Sequence, residues 1–269
     1  MFLPKFASKK ILIASAFSCL ALSTVALPLS LSLFTPSAQA QSRRVRYTPP
    51  SNLGTPIVST PGATRSAGCV GSTIDCLIGL VPDLVAETAP VPQTISARPT
   101  IYFLIPKVDG KVIFTLHEAD SMLEKGKRIY LTNFELKSKA GILAFKIPDH
   151  VQSLKIDQNY VWEFMDTDND VKVIGSIRRV LPNQNLVRQL KEVSLPLDRA
   201  ALFAQEGIWY ETVQTLAEAL QGTPKKAEIV SEWNELLKSA KLNRVLPHSF
   251  LKSAETSSEN ISPLKQNSY

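Results

Sequence analysis

Six short apolar runs follow one another between Pro99 and Val180, and turn residues separate each run from the next. The runs are IYFLIP, KVIFTLH, RIYLTNFEL, GILAFKIP, YVWEFM and VKVIGSIRRV. Several of them alternate apolar and polar residues, which is the period of a β-strand with one buried face. One dry and one wet face per strand favours antiparallel sheets over a parallel α/β arrangement. The pattern predicts an antiparallel, immunoglobulin-like β-sandwich over residues 99–181.

The hydrophobic period changes from two to near 3.6 after Pro182, which predicts short amphipathic helices. The spacing of small and apolar residues from Ala204 to Pro224 is similar to one tetratricopeptide helix pair. No second copy follows at a period of about thirty-four residues, as such repeats require. We therefore expect a small helical segment over residues 182–246 that packs on the sandwich. A protruding, peptide-binding hairpin is the alternative.

The two ends of the chain carry signals of export and of weak structure. Three lysines, an uninterrupted apolar run and an A-x-A sequence ending at Ala40 predict a signal peptide over residues 1–40. An uncleaved membrane anchor is the alternative, because the apolar stretch is long enough to span a bilayer. Residues 41–98 are rich in proline, serine and threonine and are predicted to be a linker. Residues 247–269 contain few apolar residues and are predicted to be disordered.

The charge of the chain argues against one class of partner. The net charge is +6 in the full chain and +3 once the predicted signal peptide removes three lysines and no acids. So small a positive charge does not indicate nucleic-acid binding. We expect an exported protein of the periplasm or extracellular space, without a stable transmembrane span after cleavage of the signal.

Cys69 and Cys76 remain in the mature chain when Cys19 leaves with the signal peptide. An even pair in an oxidising compartment predicts a disulfide that closes the short loop between them. A zinc site is the alternative, but it needs two further ligands, and the three histidines lack ligand spacing.

Asp166, Asp168 and Asp170 alternate along the chain as the ligands of a calcium loop do. The full signature also requires glycine at the sixth position and glutamate at the twelfth, where this chain has Val171 and Ile177. A hairpin turn is therefore the preferred interpretation, and a calcium site is the weak alternative.

No other pattern indicates catalysis. The chain has no G-x-S-x-G sequence, and His117 with Glu118 and Asp120 fits a solvated strand end better than a general base cluster. The sequence thus predicts a protein that is not an enzyme and has no cofactor. Trp209 and Tyr210 are adjacent on a predicted helix and cannot face the same way, so one of them should reach the helix–sandwich junction or a partner. They are the candidate partner-binding residues.

Seven short motifs occur together in a fixed order along the chain. They are GC at residue 68, LVP at 80, RPTIYFLIP at 98, GILAFKIP at 141, YVWEF at 160, GSIRRV at 175 and GIWYETV at 207. In combination they resemble a family of exported cyanobacterial proteins, domain of unknown function 928, over roughly Arg65 to Leu246. The resemblance implies export and a shared fold, and it transfers no catalytic residue.

The same resemblance bears on the cysteines. Many family members have a cysteine just after the aromatic strand, where this chain has Met165 and Asp166. This departure supports the pairing of Cys69 with Cys76 here, or else leaves the disulfide pattern of the family open.

These features together favour a non-enzymatic binding or adaptor module of the cell envelope that contacts an envelope protein through its C-terminal helices. A structural envelope component is the second hypothesis, and a hydrolase of unrecognised type is the third. An exposed apolar patch on the helices would favour the adaptor, and a concave space with convergent polar groups would favour the enzyme.

Overall fold

A computed structural model describes residues 44–49, 68–69, 76–82, 90–121, 123–223 and 226–251 of the chain. The strands in this part are β1 (Gly68–Cys69), β2 (Cys76–Gly79), β3 (Gln93–Thr94), β4 (Thr100–Ile105), β5 (Val108–Ala119), β6 (Lys125–Ser138), β7 (Gly141–Lys146), β8 (Asn159–Asp166) and β9 (Val171–Arg179). The helices are α1 (Gln184–Glu192), α2 (Pro196–Gln205), α3 (Trp209–Gly222) and α4 (Ala227–Ser239), and a short 3₁₀ turn, Asn243–Val245, follows them.

The strands form two sheets. The order is β1-β2-β4-β7 in the first sheet and β3-β9-β8-β5-β6 in the second. Neighbouring strands are antiparallel except that β3 runs parallel to β9. Consecutive strands lie in different sheets at five steps: β2 to β3, β3 to β4, β4 to β5, β6 to β7 and β7 to β8. The prediction of a mainly β chain followed by helices is confirmed.

Aromatic rings hold the two sheets face to face. Phe103 of β4 stacks on Phe164 of β8 with 4.5 Å between the ring centroids. Phe145 of β7 packs on Phe114 of β5 at 4.3 Å. The period of two that predicted these strands has its origin here, because every second residue points into the space between the sheets. Each buried phenylalanine contributes about 1.5–3 kcal/mol through removal of apolar surface from water.

The helices pack on the outer side of the first sheet, as the preferred interpretation expected. Strand β4 is buried at every position because it has this helical layer on one face and the second sheet on the other. Tyr102 of β4 contacts the ring of Phe250, which packs on Trp233 of α4. An N-cap residue marks the start of α1. The Asn183 side chain accepts a hydrogen bond from the Leu186 N–H at 2.8 Å.

Two glycines make room for the largest side chain between the sheets. Trp162 of β8 is fully buried. A Cβ atom added at Gly175 of β9 or at Gly79 of β2 would overlap the Trp162 indole. The register between β8 and β9 is continuous through Gly175, so this glycine does not mark a bulge. It is needed because the indole lies directly over the backbone.

The packed part of the chain extends beyond the predicted boundaries. Val45, in the predicted linker, is buried, and its N–H donates to Glu232 Oε2 of α4 at 2.7 Å. At the other end, residues 249–251 of the predicted disordered tail hydrogen bond to Ile142 of β7. Isolated apolar residues such as Val45 and Phe250 are stabilised by surfaces that distant elements form. The predicted signal peptide, much of the linker and the tail from residue 252 lie outside the described residues.

Within the described ranges, no helix combines the length and the apolar character that crossing a membrane requires. The apolar run of the predicted signal peptide is not among these ranges.

Replacing Gly175 with alanine should lower the free energy of unfolding by about 3 kcal/mol, because the added methyl group must displace a fully buried indole. Gly222→Ala is the matched control, since a Cβ atom there meets nothing within 4 Å. Alanine also favours the helix at that position, so the control should match or exceed the wild type in stability. Denaturant unfolding measures both variants, and a G175A protein as stable as the wild type would contradict this account.

Candidate functional site

The first turn of α3 joins the helical layer to both sheets. The Trp209 Nε1–H donates to the Leu80 carbonyl, just after β2, at 2.8 Å. The Tyr210 hydroxyl donates to the Ser176 carbonyl of β9 at 2.8 Å and accepts from Trp162 Nε1 at 3.0 Å. This junction therefore supplies partners to polar groups that the sheets leave inside the core.

The structure corrects the prediction that Trp209 and Tyr210 are partner-binding residues. Their exposed fractions are 0% and 3%, so neither side chain is available to another protein. The prediction was that one of them reaches the helix–sandwich junction or a partner, and the structure places both at the junction. The two side chains point in different directions, and both are buried. On the Trp209 side, the Tyr47 ring packs edge-on against the indole with 4.8 Å between centroids.

Glu211 ties the same turn to the segment that follows β3. Its Oε1 accepts from the Thr94 hydroxyl at 2.6 Å, from the Ile95 N–H at 3.2 Å and from the Ser96 N–H at 3.0 Å. Its Oε2 is buried and has no hydrogen-bond partner among the described residues. Burial raises the pKa of Glu211, and the three hydrogen bonds oppose this shift in part because they favour the carboxylate.

The tyrosines of the junction have a structural role. Burial raises the pKa of both Tyr210 and Tyr47 far above the ordinary value, so both phenols stay protonated. The Tyr210 hydroxyl donates one hydrogen bond, to the Ser176 carbonyl, and accepts one, from the Trp162 N–H. A buried phenol that stays protonated and hydrogen bonds to two elements connects those elements and is a poor acid or base.

The aspartate-rich segment forms the turn between β8 and β9. Asp166 Oδ1 accepts from the N–H groups of Asp168 at 3.1 Å and Asn169 at 3.3 Å, and Oδ2 accepts from the Asn169 side chain at 2.7 Å. Bonds from an aspartate to the backbone two residues on define an Asx turn. Asp170, the last residue before β9, has a left-handed φ of 52°, which aspartate tolerates better than most residues. The hydrogen bonds thus account for the hairpin turn that the sequence favoured.

Among residues that the structure describes, no cluster of three or more histidine, cysteine or acidic side chains is placed to hold an ion.

The cysteine pair lies at the edge of the first sheet. The register of β1 and β2 places Cys69 directly opposite Cys76. Cys76 is disulfide-bonded, and Nη1 of Arg244 lies 3.2 Å from its sulfur. The side chain of Cys69 is outside the described part, so its pairing with Cys76 stays a prediction.

His117, Glu118 and Asp120 have separate surroundings. Consecutive residues of a strand point to opposite faces, which separates His117 from Glu118. Glu118 binds Lys155 Nζ at 2.7 Å, and Asp120 Oδ1 accepts from the Glu124 N–H at 3.0 Å. His117 Nδ1 lies 3.4 Å from the Gly126 carbonyl. This arrangement fits the solvated strand end better than a general base cluster.

Exposed apolar side chains gather around α1. Four large hydrophobic side chains are exposed in the described part: Leu181 at 66%, Leu195 at 54%, Ile156 at 42% and Val187 at 38%. Leu181, Val187 and Leu195 lie within or beside a helix of nine residues, which is about 14 Å long. The buried side of this helix contributes Leu186 to a cluster with Leu202 and Phe203. We name the exposed set Leu181, Val187 and Leu195 the α1 surface.

Sequence reasoning missed the α1 surface. Leu181 and Leu195 stand next to Pro182 and Pro196, at helix boundaries where a period of 3.6 no longer says which residues are buried. The available signal was that each leucine directly precedes a proline, which favours an extended backbone outside the helix.

The two packed sheets, the helical layer and the structural use of the candidate polar residues define a β-rich domain with C-terminal helices. The sequence profile of the family described as Domain of Unknown Function (DUF928) matches residues 60–250. The chain belongs to this family, which confirms the resemblance seen in its motifs. A comparison with curated proteins finds no match.

Tyr210→Phe should lower the free energy of unfolding by about 2–3 kcal/mol, because it leaves the Trp162 N–H and the Ser176 carbonyl buried without their partner. Tyr130→Phe is the matched control, since Tyr130 is half-buried on β6 and should change stability by no more than about 0.5 kcal/mol. Urea unfolding compares the two. Equal losses would show that the hydroxyl of Tyr210 has no special role.

Glu211→Gln should remove part of the pH dependence of stability. Because the pKa of Glu211 is raised in the folded chain, the unfolded chain ionises first as the pH rises. Stability should therefore fall from about pH 4.3, the ordinary glutamate pKa, up to the raised value, and then stay level. The variant lacks this ionisation, so its free energy of unfolding should rise relative to that of the wild type as the pH increases across that range.

Thermal unfolding between pH 4 and 8 measures the difference between the two proteins. Glu218→Gln, at an exposed position of the same helix, is the control and should follow the wild type. A constant difference between E211Q and wild type at every pH would contradict the raised pKa.

Proposed function

We propose that this chain is an exported, non-enzymatic binding module of the cell envelope that docks on another envelope protein through the α1 surface. One observation carries the proposal: three of the four large hydrophobic side chains exposed in the described part lie between Leu181 and Leu195. Single exposed leucines are ordinary, but three exposed apolar side chains within and directly beside one short helix are typical of a protein contact.

The chemistry of the α1 surface fits a protein partner. Arg188 and Lys191 of α1 are exposed beside the apolar side chains, with Glu192 as the neighbouring acid. An apolar centre with a charged rim is the usual composition of a docking site between proteins. The partner should therefore present a small apolar patch with acidic groups around it.

We infer an immunoglobulin-like arrangement of the sheets from the strand order. Strands β2, β4 and β7 take the positions of A, B and E, and β5, β8 and β9 take those of C, F and G. Strand β6 adds an edge beside β5, as in variable-type domains. Domains of this architecture are common at cell surfaces, which supports a binding role by analogy alone.

We also interpret α2 and α3 as a single tetratricopeptide-like hairpin. Gly207, with a φ of 73°, allows the sharp turn between the two helices. The hairpin packs on the sheets, where a repeat array would supply a second hairpin. Because the α2–α3 hairpin packs on the sheets, α1 is the helix that we propose as the docking element.

The non-enzymatic part of the proposal is supported by how the polar candidates are used. Asp166 forms its own turn, Glu118 pairs with Lys155, and Tyr210 bonds to two core groups. A nucleophile or general base must instead direct its reactive atom towards a substrate.

The test of this function changes the α1 surface without removing the helices. A chain stopped at Val180 would lose Trp209 and Tyr210, which bond to both sheets, so its failure to bind would be uninformative. The bait is the chain from Gln41, immobilised and incubated with envelope extract. The variant L181E/L195E is compared with I156E, which places the same charge at an exposed hydrophobic position outside the helices.

We expect a protein captured by the wild type and by I156E to be reduced about tenfold or more with L181E/L195E, as is usual when central apolar contacts of an interface are charged. Matching melting temperatures establish that all three baits are folded. Capture of the same proteins in equal amounts by all three baits would reject the α1 surface as the binding site. Capture of none by any bait would reject the adaptor function in this extract.

A further inference from the structure

Helix α1 packs on a small cluster that is separate from the main core. Its buried Leu186 contacts a set made by Leu202, Phe203 and Ile208, and none of these four side chains belongs to the large cluster that joins the sheets to the other helices. We name these four side chains the α1 cluster. Regions with few buried apolar contacts open more readily than the rest of a domain. The position of α1 therefore depends on a few local contacts.

Two side chains from the neighbouring helix bond to the two ends of α1. At the N-terminal end, Oε2 of Glu206, the residue that ends α2, accepts from the Asn183 side-chain amide at 2.6 Å. At the C-terminal end, Arg199 Nη1 of α2 donates to the Leu190 carbonyl at 3.0 Å. Among the described residues, these are the two hydrogen bonds that join residues 183–192 to another element.

The two bonds are spaced equally on both helices. Asn183 and Leu190 are seven residues apart, and so are Arg199 and Glu206. Seven residues correspond to two helical turns, or about 10 Å. The N-terminal end of α1 meets the C-terminal end of α2, so the two helices are antiparallel. A shift of α1 along α2 would break both bonds, which means that together they fix one position of α1.

Arg199 satisfies a polar group that the end of α1 leaves without a partner. The last four carbonyls of a helix lack intrahelical N–H donors, and the Leu190 carbonyl is one of these in α1. The guanidinium supplies a donor and a positive charge, which the C-terminal end of a helix favours. Its Cζ atom also lies over the Phe203 ring, 6.0 Å from the centroid. Arg199 therefore connects the α1 cluster to the end of the helix.

Glu206 has the corresponding role at the N-terminal end. Because Nδ2 of Asn183 donates to Glu206, the Oδ1 atom of the same amide faces the helix and accepts from the Leu186 N–H at 2.8 Å. The N-cap of α1 is thus oriented by the residue that ends the neighbouring helix.

We propose that α1 opens from the domain as a separate unit and that Arg199 and Glu206 are the two residues that hold it closed. The ends of α1 favour such a motion, because Asn183 and Val193 have extended backbone conformations and are suited to act as hinges. When either bond is lost, the corresponding end of the helix is attached to α2 only through the apolar contacts of the α1 cluster.

Opening of α1 changes the surface that the domain presents. In the closed state Leu186, Leu202 and Phe203 are buried and Val187 is exposed. In the open state the first three side chains meet water, and the α1 surface loses its fixed orientation on the domain. The effect on docking rests on the function proposed above, whereas the opening of α1 does not.

Amide hydrogen exchange followed by NMR, in the chain from Gln41, tests the opening. In the wild type we expect Leu190 and Lys191 of α1 to exchange at least about tenfold faster than Leu216 of α3, after correction for their intrinsic rates. Arg199→Met should accelerate the two α1 amides about tenfold further, because a hydrogen bond from a charged donor is lost, and should leave Leu216 unchanged.

Two further variants show whether the bonds themselves hold the helix. Arg199→Lys keeps a charged donor and should return exchange at Leu190 to within about threefold of the wild type. Glu206→Met should accelerate Leu190 about threefold, since the bond that it removes is exposed to solvent. Lys238→Met is the matched control, because Lys238 also lies in the last turn of a helix but pairs with Glu235 of that same helix. It should leave exchange in α1 unchanged.

Three results would overturn the proposal. The first is equal protection of Leu190 and Leu216 in the wild type, which would mean that α1 opens only when the whole domain unfolds. The second is equal acceleration of both amides in R199M, which would show a general loss of stability. The third is exchange in R199K as fast as in R199M, which would show that the bond from residue 199 to α1 has no part in closing the helix.

Discussion

A fully buried tryptophan needs a hydrogen-bond acceptor for its N–H. For Trp162, the helical layer provides it through the Tyr210 hydroxyl. Gly79 and Gly175 leave the space for the indole, and Tyr210 completes its bonding. The helices are therefore part of the core. This agrees with the single compact unit to which the described strands and helices belong.

Much of this fold follows from local periodicity. The strands were predictable because residues such as Val112, Phe114 and Leu116 alternate with polar neighbours, and the helices because their apolar residues recur at a period near 3.6. The partners of each element were not predictable in the same way. Periodicity identifies the face that is buried, but it does not identify what covers that face. Trp209 and Tyr210 show the difference, since both were placed on a helix correctly and their burial on two sides was missed.

The chain ends and the candidate site show a second limit. Val45 stands in a proline- and arginine-rich context without any periodic signal, yet it bonds to Glu232, 187 residues away. Such contacts depend on the finished surface of the helical layer. The Asp166 turn, by contrast, was predictable because its hydrogen bonds are made within three residues. Short-range chemistry can be read from the sequence, whereas the exposure of Leu181 and Leu195 depends on how the helices are packed.

The α1 surface stays exposed to water, whereas the chain covers or charges several of its other surfaces. The helical layer covers the first sheet, residues 44–49 pack on the helices, and residues 249–251 begin to cover the edge of β7. The outer edge at β6 carries exposed Lys127, Arg128 and Lys137, which oppose the addition of a strand from another chain. Where the chain covers or charges its vulnerable surfaces in this way, apolar side chains that stay in water are unusual. Moving them out of water would stabilise a complex and would cost the isolated fold little, because they do not contribute to its core.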